Sequence, residues 1–388
     1  MIGFYLSLIV ISIFIVQKVY VVVFVIAPFV LLVSGVRNVS KQALLIAGVL
    51  FFLVMWSSIV YMLNEDHSEL TQLVKVFVSL AFLPFVIGLI LDERIEPRVY
   101  VDALYMVLVF ALLVNAAHIF YNVGKADVWM LPFGGEMTSS SAYKIQDVGI
   151  YFGAPNKNIW ATKFLFVFIA YISMFVLGLR RVKAVDVFLF FLFSLAVIYG
   201  MSRTSQLAYF SFIALLVFDN VRRFERYRAI VYVILVPVFA VLINAFINKM
   251  LHFEFDESDG FFSRTILWAS VLDIEGIKLI LGSGPGYGGY HIPLYTPLVN
   301  DNFHNVFVNQ LADLGMVGLV FYFLMYFWFF SLVRSYLGSV RALIFLLPLL
   351  IVVNSHYTGF DNDIFVYFIL CIFISRCSFL NRAGALRV

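Results

Sequence analysis

The sequence predicts an all-α integral membrane protein of about twelve transmembrane helices, and three observations predict it. The chain of 388 residues is 63% hydrophobic and 13% charged, with a mean hydropathy of +1.00. A soluble domain carries about 25% charged residues. Apolar runs recur from end to end, and about 20 residues suffice to cross a bilayer as a helix. These runs do not alternate polar with apolar residues, as the strands of a membrane barrel must. Helices then remain as the way to satisfy every backbone group inside lipid.

Taken in order, the spans are expected near 2–16, 19–35, 43–63, 76–91, 100–121, 158–179, 185–201, 205–219, 229–248, 307–333, 341–353 and 364–375. The first run lacks a basic n-region and a small-residue cleavage site, so it reads as a helix that stays. Two connections are long, 122–157 and 249–306, and the others are tight. The chain therefore reads as one polytopic membrane domain, 1–388, with two sizeable loops. Cys371 and Cys377 lie in or beside the last run. They are too few for a disulfide framework or a zinc site and read as small buried hydrophobes.

The net charge of +3 says little, but its distribution sets an orientation. The even connections and the C-terminal tail hold sixteen of the 26 Lys and Arg residues, among them Arg180, Arg181, Arg222, Arg334, Arg341, Arg376 and Arg382. Positive charge stays cytoplasmic. Both termini are then expected inside, and both long loops in the periplasm of a bacterial inner membrane. No ATP is available there, so any chemistry must use a substrate that arrives activated. Nothing in the charge pattern suggests a nucleic-acid partner.

The polar motifs gather on that outer face. Arg203, in "GMSRTSQ", stands between two apolar runs, where a charge near hydrocarbon costs about 2.5 kcal/mol or more. Its neighbours Ser202, Thr204, Ser205 and Gln206 suit a cavity wall better than lipid. Arg264, in "FFSRTILWAS", repeats the Ser-Arg-Thr pattern and opens an amphipathic stretch with Trp268 one turn on. Arginine gives bidentate contacts to phosphate, and two exterior arginines could hold a diphosphate. His304 sits beside Asn305 at a helix start, where a neutral imidazole could take a proton from a hydroxyl. The cluster "GSGPGYGG", Gly282–Gly289, lacks the strand and βαβ context of a nucleotide loop. It reads as a turn, or as a place where backbone approaches a ligand closely, with Gly284 inside it. The acidic runs "NEDHSE" and "EFDESDG" complete no EF-hand pattern, and "GFDND", 359–363, is a further exterior turn. No metal site and no cofactor are expected.

Taken together these elements resemble the O-antigen ligase/polymerase superfamily of bacterial envelope glycan enzymes. "MSRTSQLAYFSFIALLVF" is similar to its Ser-Arg-Thr helix start, and "SRTILWASVLDIEGIKLILGSGPGYGGY" to its Arg–Trp–Gly-x-Gly loop. "HNVFVNQLADLGMVG" is similar to its His-Asn motif, with Gly315 and Gly318 following. "GAPNKNIWA" resembles its Asn-bearing helix start and contributes Asn156. The motifs cover residues 150–335, and the topology covers the whole chain. The resemblance implies a GT-C-like, metal-independent glycosyltransferase that moves a glycan from undecaprenyl diphosphate to an acceptor hydroxyl. The loop 249–306 would then bear part of the active site. Polymerases use the next lipid-linked repeat unit as acceptor and ligases use lipid A–core; the polymerase is the first reading here. A chain-length regulator protein is a further partner the resemblance allows. By this resemblance Arg203 and Arg264 bind the diphosphate and His304 activates the acceptor, with Ser202, Asn305, Trp268, Gly284 and Asn156 around the substrate. A flippase of the same lipids would instead show a two-half repeat and midplane polar pairs, and neither is visible.

Overall fold

In the computed structural model the described residues are 2–14, 20–34, 40–64, 66, 68–92, 98–127, 129, 157–221, 260–295, 302–356 and 359–385. The span expected at 229–248, the residue Asn156 and the acidic run at 254–259 lie outside them.

Among the described residues the chain is helical, with no strand. Its elements are α1 (Ile2–Ser12), α2 (Tyr20–Val25), α3 (Ala27–Val33), α4 (Lys41–Leu63), α5 (Leu70–Leu91), α6 (Arg98–Ala126), α7 (Lys157–Val176), α8 (Ala184–Tyr199) and α9 (Arg203–Val221). Then follow α10 (Gly260–Ala269), a 3₁₀ turn (Ser270–Asp273), α11 (Gly276–Leu281), α12 (Tyr287–Tyr295), α13 (Val306–Leu337), α14 (Ser339–His356) and α15 (Asn362–Ala385). Six helices are long and apolar enough to cross a membrane, namely α4, α5, α6, α7, α13 and α15; α1, α2–α3, α8 and α14 are shorter apolar helices. The protein is an all-α membrane protein. The expected single span at 19–35 is two helices meeting at Ile26, with Pro28 in the first turn of the second. Proline fits a first turn because its missing N–H has no intrahelical partner there.

Two helices form the centre. Residues 160–171 of α7 are each at most 2% exposed, and residues 364–374 of α15 at most 3%. α15 packs on α5, α6, α7 and α13. α4 pairs with α5, α9 with α14, α1 with α6, and α13 with α4 and α14. Lipid tails are as apolar as leucine, so close packing and interhelical hydrogen bonds hold such helices together. Phe329 stacks on Phe368 at 4.2 Å, and the Tyr367 hydroxyl donates to Phe345 O at 2.6 Å.

The polar ends sort into two groups. At one end Arg180 pairs with Asp102, and Arg341 Nε lies 3.0 Å from Asp219 Oδ2. Arg382 donates to Tyr336 O at that end. Arg376, expected in the C-terminal tail, is instead inside α15 and buried; it donates to Ile90 O and Asp92 O at the end of α5. A cation there meets the negative end of the helix dipole, which explains why α15 continues beyond its apolar run. The opposite end carries the candidate site.

Candidate functional site

The His304 turn is built by its neighbours. Asn305 caps α13, its side-chain oxygen accepting from the N–H groups of Phe307 at 3.0 Å and Val308 at 3.2 Å. Such a cap contributes about 1 kcal/mol. Phe303 is fully buried; its N–H donates to Asn309 Oδ1 at 3.1 Å and its carbonyl accepts from Trp268 Nε1 at 3.0 Å. His304 is thus held between two anchored residues. It adopts φ +51°, and its N–H donates to Asn302 Oδ1 at 2.8 Å. A non-glycine residue in this left-handed region costs about 1–2 kcal/mol, which the flanking bonds offset. The imidazole is partly exposed.

Trp268 ties α10 to this turn. Arg264 lies four residues earlier, on the same helical face, and is partly buried. Around them a small second core forms from Leu267, Val271, Ile274, Tyr287, Ile292, Phe303 and Ala312. His291, fully buried, joins its Nε2 to Ser270 O at 2.7 Å and fixes α12 against the 3₁₀ turn. The structure therefore gathers Arg264, Trp268, His304 and Asn305 into one unit.

The glycine cluster serves α13. Gly315, at φ +67°, breaks that helix. Carbonyls at the break take partners from elsewhere: Ser283 N–H donates to Ala312 O at 3.1 Å, Gly284 N–H to Asp313 O at 2.9 Å, and Trp56 Nε1 to Leu314 O at 2.8 Å. Gly286 N–H reaches the Asp313 carboxylate at 3.1 Å. A Cβ at Gly282 would meet the Leu314 backbone at 2.6 Å, and one at Gly315 would overlap Ile280 O and Gly282 N. Gly284, at φ +108°, is buried, and a Cβ there would overlap Ser68 Oγ. The close approach it permits is thus to the α4–α5 connection, where Glu69 N–H also donates to Pro285 O at 2.8 Å.

Arg203 belongs to a neighbouring patch. It is the first residue of α9 and is exposed. Ser202, fully buried, acts as the cap of α9, with Ser205 N–H 3.4 Å from its hydroxyl. Thr162 and Ser205 hydroxyls meet at 3.1 Å and join α7 to α9. No hydrogen bond or ion pair among the described residues joins Arg203 to Arg264 or His304.

Two further groups at this end escape sequence reading. Lys75 Nζ lies 2.7 Å from Asp361, and Lys163 Nζ lies 3.8 Å from Asp363, the second pair almost fully buried. Ser79 Oγ donates toward Phe360 O and Asn362 Oδ1, and Tyr322 donates to Gly359 O at 2.6 Å. The "GFDND" turn is thereby sewn into α5, α7 and α13. The available signal was a lysine within the apolar run of each of two helices, Lys75 and Lys163, since a charge inside a membrane bundle is retained only with a partner.

This architecture defines a polytopic helical membrane protein with a polar, arginine- and histidine-bearing site at one end of the bundle. Residues 188–323 match the family described as O-antigen ligase. The match takes in α8, α9, the arginine segment, the glycine loop and the His304 turn, about a third of the chain. Over this segment the chain is similar to the O-antigen ligase family. No curated protein matches the chain.

Proposed function

We propose that the protein is a glycosyltransferase that joins lipid-linked repeat units of a surface polysaccharide, taking the growing glycan from undecaprenyl diphosphate. The observation that carries this reading is the His304 turn, anchored through Phe303 to Trp268 on the helix that bears Arg264. The acceptor hydroxyl oxygen attacks the anomeric carbon of the donor sugar while its proton passes to a nitrogen of His304. The bond from that carbon to the phosphate oxygen breaks, and the electron pair leaves on the diphosphate. Arg264 and Arg203 neutralise the charge that develops there, a role worth most in a site that excludes water. A positioned base contributes about 10²–10⁴-fold. Energy stored in the donor makes an exterior nucleotide unnecessary, and the chemistry calls for no metal. The active end faces the periplasm of the inner membrane, by the distribution of basic residues.

The test is transfer from a purified lipid-linked donor by protein in vesicles. Arg264→Ala and His304→Ala should each lose transfer while accumulating normally, and wild-type rates in both would overturn the assignment. A chelator should leave transfer unchanged; its loss would show that a metal takes part. Similarity to the O-antigen ligase family favours a second reading, transfer of finished polymer to lipid A–core. A deletion strain separates the two. One repeat unit on the core means polymerase, whereas free lipid-linked polymer with bare core means ligase.

A further inference from the structure

We infer that Lys157 is a further cation of the donor's diphosphate site, paired with Arg203; this rests on the reading just given. Lys157 is the first residue of α7 and Arg203 the first of α9, and the hydroxyls of Thr162 and Ser205 join these helices at 3.1 Å. Ala161 packs on the turn before Arg203, since a Cβ placed at Gly200 would lie 3.3 Å from Ala161 Cβ. Lys157 lies four residues before Ala161, on the same helical face. Met201 holds the turn before Arg203 at φ +52°. A left-handed residue there costs about 1–2 kcal/mol and fixes where Arg203 starts its helix.

Lys157 is only partly exposed and lies within electrostatic reach of Arg203. Neither is matched by a carboxylate in an ion pair among the described residues. Two cations held together in this way repel each other, so the pair weakens the resting protein unless an anion occupies the space between them. The first turns of α7 and α9 add partial positive charge to the same spot. A single carboxylate would be matched by one cation. A diphosphate, with at least two negative charges spread over two phosphoryl groups, matches two. The chemistry that fits is therefore a diphosphate at the membrane surface, the head of the lipid-linked donor.

The experiment measures donor KM, acceptor KM and melting temperature for Lys157→Gln, Lys157→Arg and Arg203→Ala. Lys157→Gln should raise donor KM about tenfold, the weight of one charge-assisted hydrogen bond, and leave acceptor KM unchanged. It should also weaken inhibition by inorganic diphosphate by a similar factor. Lys157→Arg should restore donor KM to within about threefold. Melting without donor should not fall in Lys157→Gln, because a repulsion is removed; a merely structural lysine would lower it. An unchanged donor KM in Lys157→Gln beside a crippled Arg203→Ala would overturn this inference and leave the transferase reading standing. Full transfer by Arg203→Ala would overturn this inference and the role given to Arg203, whereas absence of transfer by the unaltered protein would overturn the transferase reading.

Discussion

Gly315 shows how much one residue can decide. Its φ of +67° lies where a side chain is strained, and any Cβ would overlap Ile280 O and Gly282 N. Gly315→Ala should abolish a stable fold, read as loss of protein from the membrane. Gly338 tests the strain alone. It sits at φ +87° with open space around it, so Gly338→Ala should cost only about 1 kcal/mol and keep transfer. Trp56→Phe keeps the ring but strands Leu314 O. An unpaired buried carbonyl costs about 1–3 kcal/mol, so thermal unfolding in detergent should come earlier. The sequence makes the need for glycine visible at 282, 284 and 315, but not what approaches each one. Gly284 reads as a contact for a ligand, and in the fold it clears Ser68, more than 200 residues earlier.

Elements, more than residues, assemble the site. α10 carries Arg264 and reaches the His304 turn through one indole N–H. Trp268→Phe should therefore lower turnover by roughly tenfold, with melting nearly unchanged, since the bond is worth only about 1 kcal/mol while misplacement by 1 Å can cost far more in rate. Wild-type turnover would show that the second core alone positions α10. The order of motifs along the chain was legible, as was the Asn305 helix start, because caps and apolar runs are local properties. The break in α13 was not legible, because the partners of its carbonyls lie in α4 and in the glycine loop. Sidedness of these elements is open to labelling. Cys371 and Cys377 are buried, so a cysteine replacing exposed Asp273 should dominate the reaction with an impermeant maleimide in intact cells. A cysteine replacing Arg181 should react only after permeabilisation; the reverse pattern would invert the orientation.

At the scale of the molecule, charge pairs hold the centre at the end that carries the candidate site. Lys163 and Asp363 are almost fully buried, at 3% and 7% side-chain exposure. Removing one member takes a close counter-charge from a buried group, a loss of up to about 3–5 kcal/mol, whereas removing both can be nearly neutral. Lys163→Met should therefore destabilise strongly, and the double variant with Asp363→Leu should recover much of the loss in thermal melting. Additive losses would show that each charge has separate partners that matter more. Composition was enough for the membrane class and the helical architecture, since both follow from what lipid does to an exposed backbone. The pairing of α5 and α7 with the 359–363 turn was not, because nothing local in an apolar helix says where a lysine within it points.

The placing of α15 bears on how the protein is made. The helix at the centre follows every other described helix in the chain, so its partners leave the ribosome and enter the membrane before it exists. Until it arrives, α5, α6, α7 and α13 surround an unfilled seam, and Lys163 has no Asp363 to meet. The half-made protein therefore exposes a buried lysine and an aromatic-lined groove to lipid or to the insertion machinery. Quality-control proteases would find their substrate at that stage, and a ribosome stalled before α15 should yield a chain that is cut far faster than the finished one.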